Sequence, residues 1–166
     1  MSLPRTHRTT AHGQWEVDAS EIRELTDVVP GALVQHVHMK SRWKKLQPVL
    51  PDREYIAFVT DIPPKRMAST SRMFFGSRQV RRQLGATDGV VGFSLLARPM
   101  AKQYVTLSLW IDEAALAAFA RSRPHQQLMT DLAPEMAPTT FVRWQHPGTS
   151  GRPVWSDALR RLDAVR

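Results

Sequence analysis

The chain has no cysteine among its 166 residues, so disulfides, thiolate metal sites and cysteine nucleophiles are excluded. It also lacks any apolar run approaching the roughly 20 residues of a membrane-spanning helix. The first residues, Met1 to Arg5, do not form the apolar core of a secretory signal. Glycine-rich phosphate loops, nucleophile elbows and paired-histidine zinc motifs are missing too. These absences predict a cytoplasmic protein without a membrane span.

Negative charge is scarce: 15 Asp and Glu residues accompany 23 Lys and Arg residues, which gives a formal net charge of +8. Such a balance attracts phosphates, nucleic acids, anionic lipids and carboxylate ligands. The basic residues are spread over several segments and form no single block, which favours a role in solubility. We therefore expect nucleic-acid binding only in a weak, non-specific form, through the N-terminal tail and the arginines of residues 65–82.

The apolar pattern divides the chain into four parts: a disordered basic tail (1–13), an N-terminal arm (14–52), a main domain (53–146), and a loop with a C-terminal helix (147–166). In the arm, helical spacing predicts one helix over 18–29, and the basic stretch Ser41–Leu46 predicts another. His36 and His38 would form half of a metal site, but no third ligand is in view.

In the main domain, strands and helices alternate. Runs of β-branched and aromatic residues predict strands at Tyr55–Ile62, Val90–Arg98, Tyr104–Ile111 and Thr139–Trp144. Helices are predicted over 65–84 and 112–132, the second with a break near Pro124, and Trp155–Leu162 forms the last helix. The order β-α-β-β-α-β predicts an α+β, ferredoxin-like antiparallel sheet with two helices on one face.

The third predicted strand has two unlike faces. Its odd-numbered positions from Val105 to Ile111 are aliphatic, and we expect them to lie beneath the helices. Its even-numbered positions from Tyr104 to Trp110 mix hydroxyls with aromatics, which suits the bare side of the sheet. An RNA platform would need stacked aromatics at the centre of this strand, where Thr106 and Ser108 stand. A second copy, or the chain's own first 50 residues, is expected to cover the bare face.

Four runs of sequence carry a resemblance to a known group of proteins. They are GVVGFSLLARP, YVTLSLWIDEAALAAFARSRPHQQLM, FVRW and PVW. This pattern, over about residues 53–162, resembles the antibiotic-biosynthesis-monooxygenase-like proteins of the dimeric α/β-barrel superfamily. It is most similar to a mostly actinobacterial branch related to spheroidene monooxygenase.

The resemblance implies a homodimer of ferredoxin-like subunits with a pocket between sheet and helices. Superfamily members include cofactor-free oxygenases of polyphenols, haem-degrading oxygenases and haem-binding enzymes. The haem-degrading type uses an Asn on its first strand and a Trp and a His on its second helix. Here the first strand has no Asn, and Phe119 and Met129 take the other two places. Haem degradation of that type is not expected, which leaves either no cofactor or a haem held by His125.

His125 is the candidate catalytic residue. It follows Pro124 at a predicted helix start, where the positive end of the helix dipole favours a neutral imidazole. A neutral imidazole can act as a general base or as an axial haem ligand. The other candidates would bind substrate: Trp110 as an aromatic wall, Thr106 and Ser108 as hydrogen-bond donors, Phe74 and Met129 as apolar contacts, and Arg98 and Arg143 as partners of an anionic group.

Together these residues predict a monooxygenase-like small-molecule enzyme that acts on an aromatic or polyketide-like substrate. His125 would accept a proton from a substrate whose carbanion reacts directly with oxygen. Two alternatives stay open. One is a non-catalytic ligand-binding or scaffold protein with the same fold; the other is a basic nucleic-acid-associated protein.

Overall fold

The structure is a computed structural model that describes residues 39–66 and 69–166, without the side chains of 70–77. The expectations for the tail, for the helix over 18–29 and for the pair His36 and His38 lie outside these residues.

Six strands and four α-helices follow one another in the described residues, and the predicted β-α-β-β-α-β order is confirmed. The elements are β1 (Met39–Lys40), β2 (Lys44–Lys45), β3 (Glu54–Asp61), α1 (Thr70–Ala86), β4 (Val90–Arg98), β5 (Gln103–Trp110), α2 (Glu113–Arg121), α3 (His125–Leu132), β6 (Thr140–Pro147) and α4 (Trp155–Asp163). The antiparallel sheet has the order β1-β4-β5-β3-β6, and β2 also pairs with β4. None of the described helices is long and apolar enough to cross a bilayer.

The stretch around Ser41 is extended, so the helix predicted for Ser41–Leu46 is wrong. β1 and β2 flank Ser41 along the outer edge of β4. The Ser41 backbone N–H donates to the Leu95 carbonyl at 2.8 Å, and the Ser41 hydroxyl accepts from the Leu95 N–H at 2.9 Å. These bonds pair backbone groups that an open sheet edge would leave unpaired. Their contribution to stability exceeds the helix preference of so short a segment.

The two faces of the sheet are the reverse of those predicted. The mixed face of β5 lies beneath the helices, where Leu84 of α1 and Phe119 of α2 pack in one cluster with Trp110. At the centre of this face the Trp110 indole N–H donates to the Ser108 hydroxyl at 2.9 Å, and this bond offsets the cost of burying both groups. The Tyr104 hydroxyl, on the same face, is buried without a hydrogen-bond partner among the described residues.

The aliphatic face is covered by the chain's own residues. Ala158 and Leu162 of α4 pack in one cluster with Val59 and Leu107 of the sheet, and all four are 0% exposed. From the N-terminal arm, Trp43 and Val49 pack on the same face, as the predicted cover by the first 50 residues requires; the part of the arm before residue 39 lies outside the described residues. The predicted homodimer is not needed to bury this face, and it stays a prediction.

Two turns set the position of the second helical layer. Gly89 has a φ of +86°, and a Cβ there would stand 2.5 Å from the Cβ of Ala115, so β4 begins close beneath α2. Asp112 caps α2, accepting from the Ala115 N–H at 2.8 Å. The predicted helix break near Pro124 is confirmed, because α3 begins at His125.

Candidate functional site

Three aromatic rings from three elements form a continuous stack on the helix-covered side of the sheet. The ring centroids of Trp110 and Phe119 are 5.2 Å apart, and those of Phe119 and His125 are 4.7 Å apart. Both pairs are tilted by about 45°, within the favourable range for aromatic contacts. We call Trp110, Phe119 and His125 the aromatic stack.

The lower end of the aromatic stack is closed. Trp110 is 1% exposed and Ser108 is 2% exposed. The Ser108 hydroxyl accepts from Trp110 and donates to the Phe58 carbonyl at 3.3 Å. Trp110 therefore supports Phe119 from the sheet, and Ser108 holds Trp110 in place, so direct contact of either with a substrate would require the stack to open.

The His125 imidazole at the upper end has a fixed orientation. Its Nδ1 lies 3.2 Å from the carbonyl of Ala120 and must carry the proton, since a carbonyl only accepts. The His125 backbone N–H donates to Gln83 Oε1 at 2.9 Å, and Gln83 Nε2 donates to the Ser122 hydroxyl. These bonds tie the start of α3 to α1. No described residue hydrogen-bonds to His125 Nε2, so its lone pair is open to another molecule.

Burial lowers the pKa of His125 below its ordinary value, and the hydrogen bond to the Ala120 carbonyl opposes this by raising it. The direction agrees with the expected neutral imidazole. The main cause is the loss of hydration rather than the helix dipole invoked from the sequence. A neutral side chain with its proton on Nδ1 is suited to accept a proton at Nε2.

Beside the aromatic stack, the helix-facing side of β3 is only partly covered. Ile56, Phe58 and Thr60 are half-buried, whereas Tyr55 and Val59, which face α4, are fully buried. Phe58 also packs against the cluster that contains Trp110 and Phe119. The open surface therefore adjoins the stack.

An aromatic floor continues this surface onto β6. Phe141 is 64% exposed, and its ring centroid is 6.1 Å from that of Phe58. Thr106, half-buried, pairs with Thr60 on the same face. We call Phe58, Thr60, Thr106 and Phe141 the aromatic floor. Arg143 lies at its rim, exposed, with its Nε 3.7 Å from Glu113 Oε1.

The remaining predicted site residues are not all brought together. Met129 is half-buried on α3, one turn after His125. Arg98 donates to Gln103 Oε1 at 3.0 Å, and Gln103 donates to Asp61 Oδ2 at 3.3 Å. The prediction that Arg98 faces the same pocket is wrong, because the strand register puts it on the side that α4 covers. The Phe74 side chain lies outside the described residues.

A cavity lies on the other side of the sheet, between β6 and the first turns of α4. Its volume is about 280 Å³, and its lining includes Trp144, His146, Asp157 and Arg161, but none of the predicted site residues. The Arg161 guanidinium lies 4.7 Å from the Trp144 ring centroid, and its Nε is 2.9 Å from Asp157. In the described ranges, no three metal-ligating side chains come together.

Three residues near the site were missed in the sequence. Phe58 and Phe141 lie on the same face of the sheet as Trp110. The alternation of side chains between the two faces of each strand could have identified them. Gln83 gives no such signal, because its bond to the His125 backbone depends on how α1 lies against α3.

Comparison with known proteins identifies relatives in fold. Neither a family model nor a curated protein sequence matches the chain. A Fusobacterium nucleatum protein, provisionally named a monooxygenase, is similar with a TM-score of 0.55 and 13% identity; the match covers 65% of this chain and 49% of that one. The chain thus spans about half the length of that protein.

Two shorter proteins match over nearly their whole length. One, from Nitrosomonas europaea and provisionally named an antibiotic biosynthesis monooxygenase, has a TM-score of 0.50 and 16% identity over 58% of this chain and 93% of its own. The other, from Shewanella oneidensis, has a TM-score of 0.50 and 12% identity over 63% and 97%. At such identities the likeness shows the fold alone. The chain has the ferredoxin-like α+β fold of the antibiotic-biosynthesis-monooxygenase-like proteins.

Proposed function

We propose that the chain is a cofactor-independent, monooxygenase-like enzyme that oxidises an aromatic or polyketide-like small molecule. The observation that carries the proposal is the His125 imidazole, held by its Nδ1, with Nε2 free of described partners. Its ring packs on Phe119, which lies in the same cluster as Phe58 of the aromatic floor. The fold likeness supports the reaction class. The closer kinship with the branch related to spheroidene monooxygenase is part of the same proposal.

In this proposal His125 starts the reaction by taking a proton from an acidic ring C–H of the substrate at Nε2. The carbanion, delocalised over the ring system, gives its electrons to molecular oxygen, and a C–O bond forms. The O–O bond then breaks. One oxygen stays as a new carbonyl, and the other leaves as water with the two hydrogens of the original methylene, one of them returned by His125. Oxygen is the only oxidant required.

The aromatic floor would hold the substrate ring. Phe58 and Phe141 offer ring faces for stacking, and the hydroxyls of Thr60 and Thr106 can bond to phenolic oxygens. Arg143 at the rim is exposed and would attract an anionic substituent, in competition with Glu113. A planar, oxygenated, polycyclic substrate suits this surface best.

The described residues do not fit a haem in the pocket between sheet and helices. The neutral His125 imidazole would suit iron, but Phe119 and Trp110 fill the layer between His125 and the sheet, with 6% and 1% of their surfaces exposed. Of the two arginines considered for a propionate, Arg98 lies on the opposite face and Arg143 is close to Glu113. We therefore propose a reaction without haem.

Oxygen uptake with anthrone, a tricyclic ketone with an acidic ring methylene, tests the proposal. Purified protein without added metal or flavin should consume one O₂ per methylene oxidised. His125→Asn should lower the rate by roughly 10²-fold or more, the usual contribution of a general base. His146→Asn is the matched control, because His146 bonds to the Gly151 carbonyl on the other side of the sheet, and it should keep the wild-type rate.

Two results would count against the proposal. Equal rates for His125→Asn and wild type would remove His125 as the base. Saturable quenching of tryptophan fluorescence by anthrone, with no oxygen uptake, would favour the non-catalytic ligand-binding alternative.

A further inference from the structure

Two segments together carry a net charge equal to that of the whole chain. Residues 39–49 and α1 together contain eight of the 23 basic residues and none of the 15 acidic ones. The rest of the chain is therefore balanced, with 15 residues of each sign. The eight are Lys40, Arg42, Lys44, Lys45, Arg72, Arg78, Arg81 and Arg82.

The fold brings these two segments against each other. β2 pairs with β4, and Leu46, just beyond it, packs in the same cluster as Val80 and Leu84 of α1. Lys44 Nζ lies 3.0 Å from the point where a Cβ on Gly85 would stand. The fold thus places the Lys44 ammonium beside the C-terminal turns of α1, which carry Arg78 and Arg82, although the two segments are far apart in the sequence.

Three cations lie in a row along α1. Arg78 and Arg82 are exposed and four residues apart, and Gly85 follows three residues later on the same side of the helix. The Lys44 ammonium lies at Gly85, near the helix C-terminus, where the helix dipole attracts a cation. It also lies 5.8 Å from the centroid of the Phe93 ring. We call Arg78, Arg82 and Lys44 the cationic row.

This arrangement works against the stability of the isolated chain. Like charges four residues apart repel on a helix, and neither segment contains an acidic residue to offset them. Guanidinium groups are well matched to phosphate oxygens, and the rise from Arg78 to Arg82 is about 6 Å. A polyanion with regularly spaced phosphates would relieve the repulsion.

We propose that the cationic row binds the sugar–phosphate backbone of nucleic acid without sequence specificity. Membrane-surface segments place large apolar side chains beside their cations. No large apolar side chain that the structure shows as exposed falls in residues 39–49 or in the described part of α1; the exposed ones are Leu50, Met100, Phe141, Val154 and Val165. This favours nucleic acid over a lipid surface, and it is independent of His125.

Fluorescence anisotropy with a labelled 20-base-pair duplex of arbitrary sequence, over a range of salt concentrations, tests the proposal. Three phosphate contacts give a slope of about −2.7 in log K against log salt, or roughly a 40-fold loss of affinity from 50 to 200 mM salt. The variant Lys44→Gln/Arg78→Gln/Arg82→Gln should lose this slope of about 2.7, and Arg82→Gln alone should reduce it by about 0.9. The control Arg53→Gln/Arg121→Gln/Arg152→Gln has the same net charge and should keep the wild-type slope.

Three outcomes would overturn the proposal. One is equal loss of affinity in the row variant and the control, because net charge alone would then explain binding. Another is the absence of duplex binding by wild type at 50 mM salt. The third is sedimentation of the wild type with phosphatidylcholine vesicles containing 30% phosphatidylserine, without duplex binding. Melting curves check folding, and if the triple variant is unfolded, Arg82→Gln decides the matter.

Discussion

Leu162 of α4 is completely buried in the cluster that contains Val59 and Leu107 of the sheet. Leu162→Ala removes about three methylene equivalents, worth about 2.4 kcal/mol of transfer free energy. The cavity left behind adds to this, so the free energy of unfolding should fall by about 3 to 4 kcal/mol. That is a large part of the 5–15 kcal/mol typical of a domain.

Urea unfolding followed by tryptophan fluorescence measures this loss. Val165→Ala is the control, because Val165 lies just beyond α4 and is 59% exposed; it should change the free energy of unfolding by less than about 0.5 kcal/mol. A cost below about 1 kcal/mol for Leu162→Ala would refute the packing of α4 on the sheet. The aliphatic face would then need another cover, and light scattering would show whether a second copy provides it.

Three further predictions concern His125, haem and the sheet edge. Burial lowers the pKa of His125, so on acidification the unfolded chain protonates this imidazole at a higher pH than the folded chain does, and stability should fall as the pH drops below about 6.5. The urea midpoint measures this loss, and His125→Gln should lack that part of the pH dependence. Haemin titration should give the same broad, non-saturating absorbance for wild type and His125→Ala, and a sharp Soret band lost in the variant would contradict the cofactor-free reaction. In Gly92→Ala a Cβ would stand 2.6 Å from Trp43 Nε1 and 2.8 Å from the Lys44 carbonyl oxygen, so thermal unfolding should show a loss of about 1–3 kcal/mol in stability. Gly85→Ala is the control and should show no loss, because its Cβ would meet only the end of the long Lys44 side chain, which can turn aside.

The succession of elements could be predicted from the sequence because each element has its own periodicity and clear ends. Val90–Arg98 has the same bounds in prediction and structure, and the helix break was visible at Pro124, just before the start of α3 at His125. A β-α-β-β-α-β order leaves few ways to pair four strands, so the sheet followed from it.

The assignment of the sheet faces could not be predicted in the same way. The hydroxyls beside Trp110 suggested a wet surface, but Ser108 and Trp110 satisfy each other in the core. Which face the helices cover depends on long-range packing, and the role of α4 as the second cover left no local signature. Arg98 was misplaced for the same reason.

Part of the candidate site could be derived from the sequence. His125 was singled out by its place after a helix break, because that pattern is local, and its catalytic role stays a prediction. Its support by Phe119 and Gln83 depends on how three elements lie against one another, which spacing alone does not give. The cationic row was missed because Lys44 and Gly85 are 41 positions apart in the sequence.

The central claim, a neutral His125 with its proton on Nδ1 and Nε2 free, can be tested most directly without any substrate. Long-range ¹H–¹⁵N NMR of the imidazole over a pH titration, assigned with His125→Gln, reports both the tautomer and the pKa. The structure predicts the Nδ1–H tautomer at pH 7 and a pKa below the ordinary value for histidine. An Nε2–H tautomer, or an imidazolium that persists at pH 7, would contradict the account.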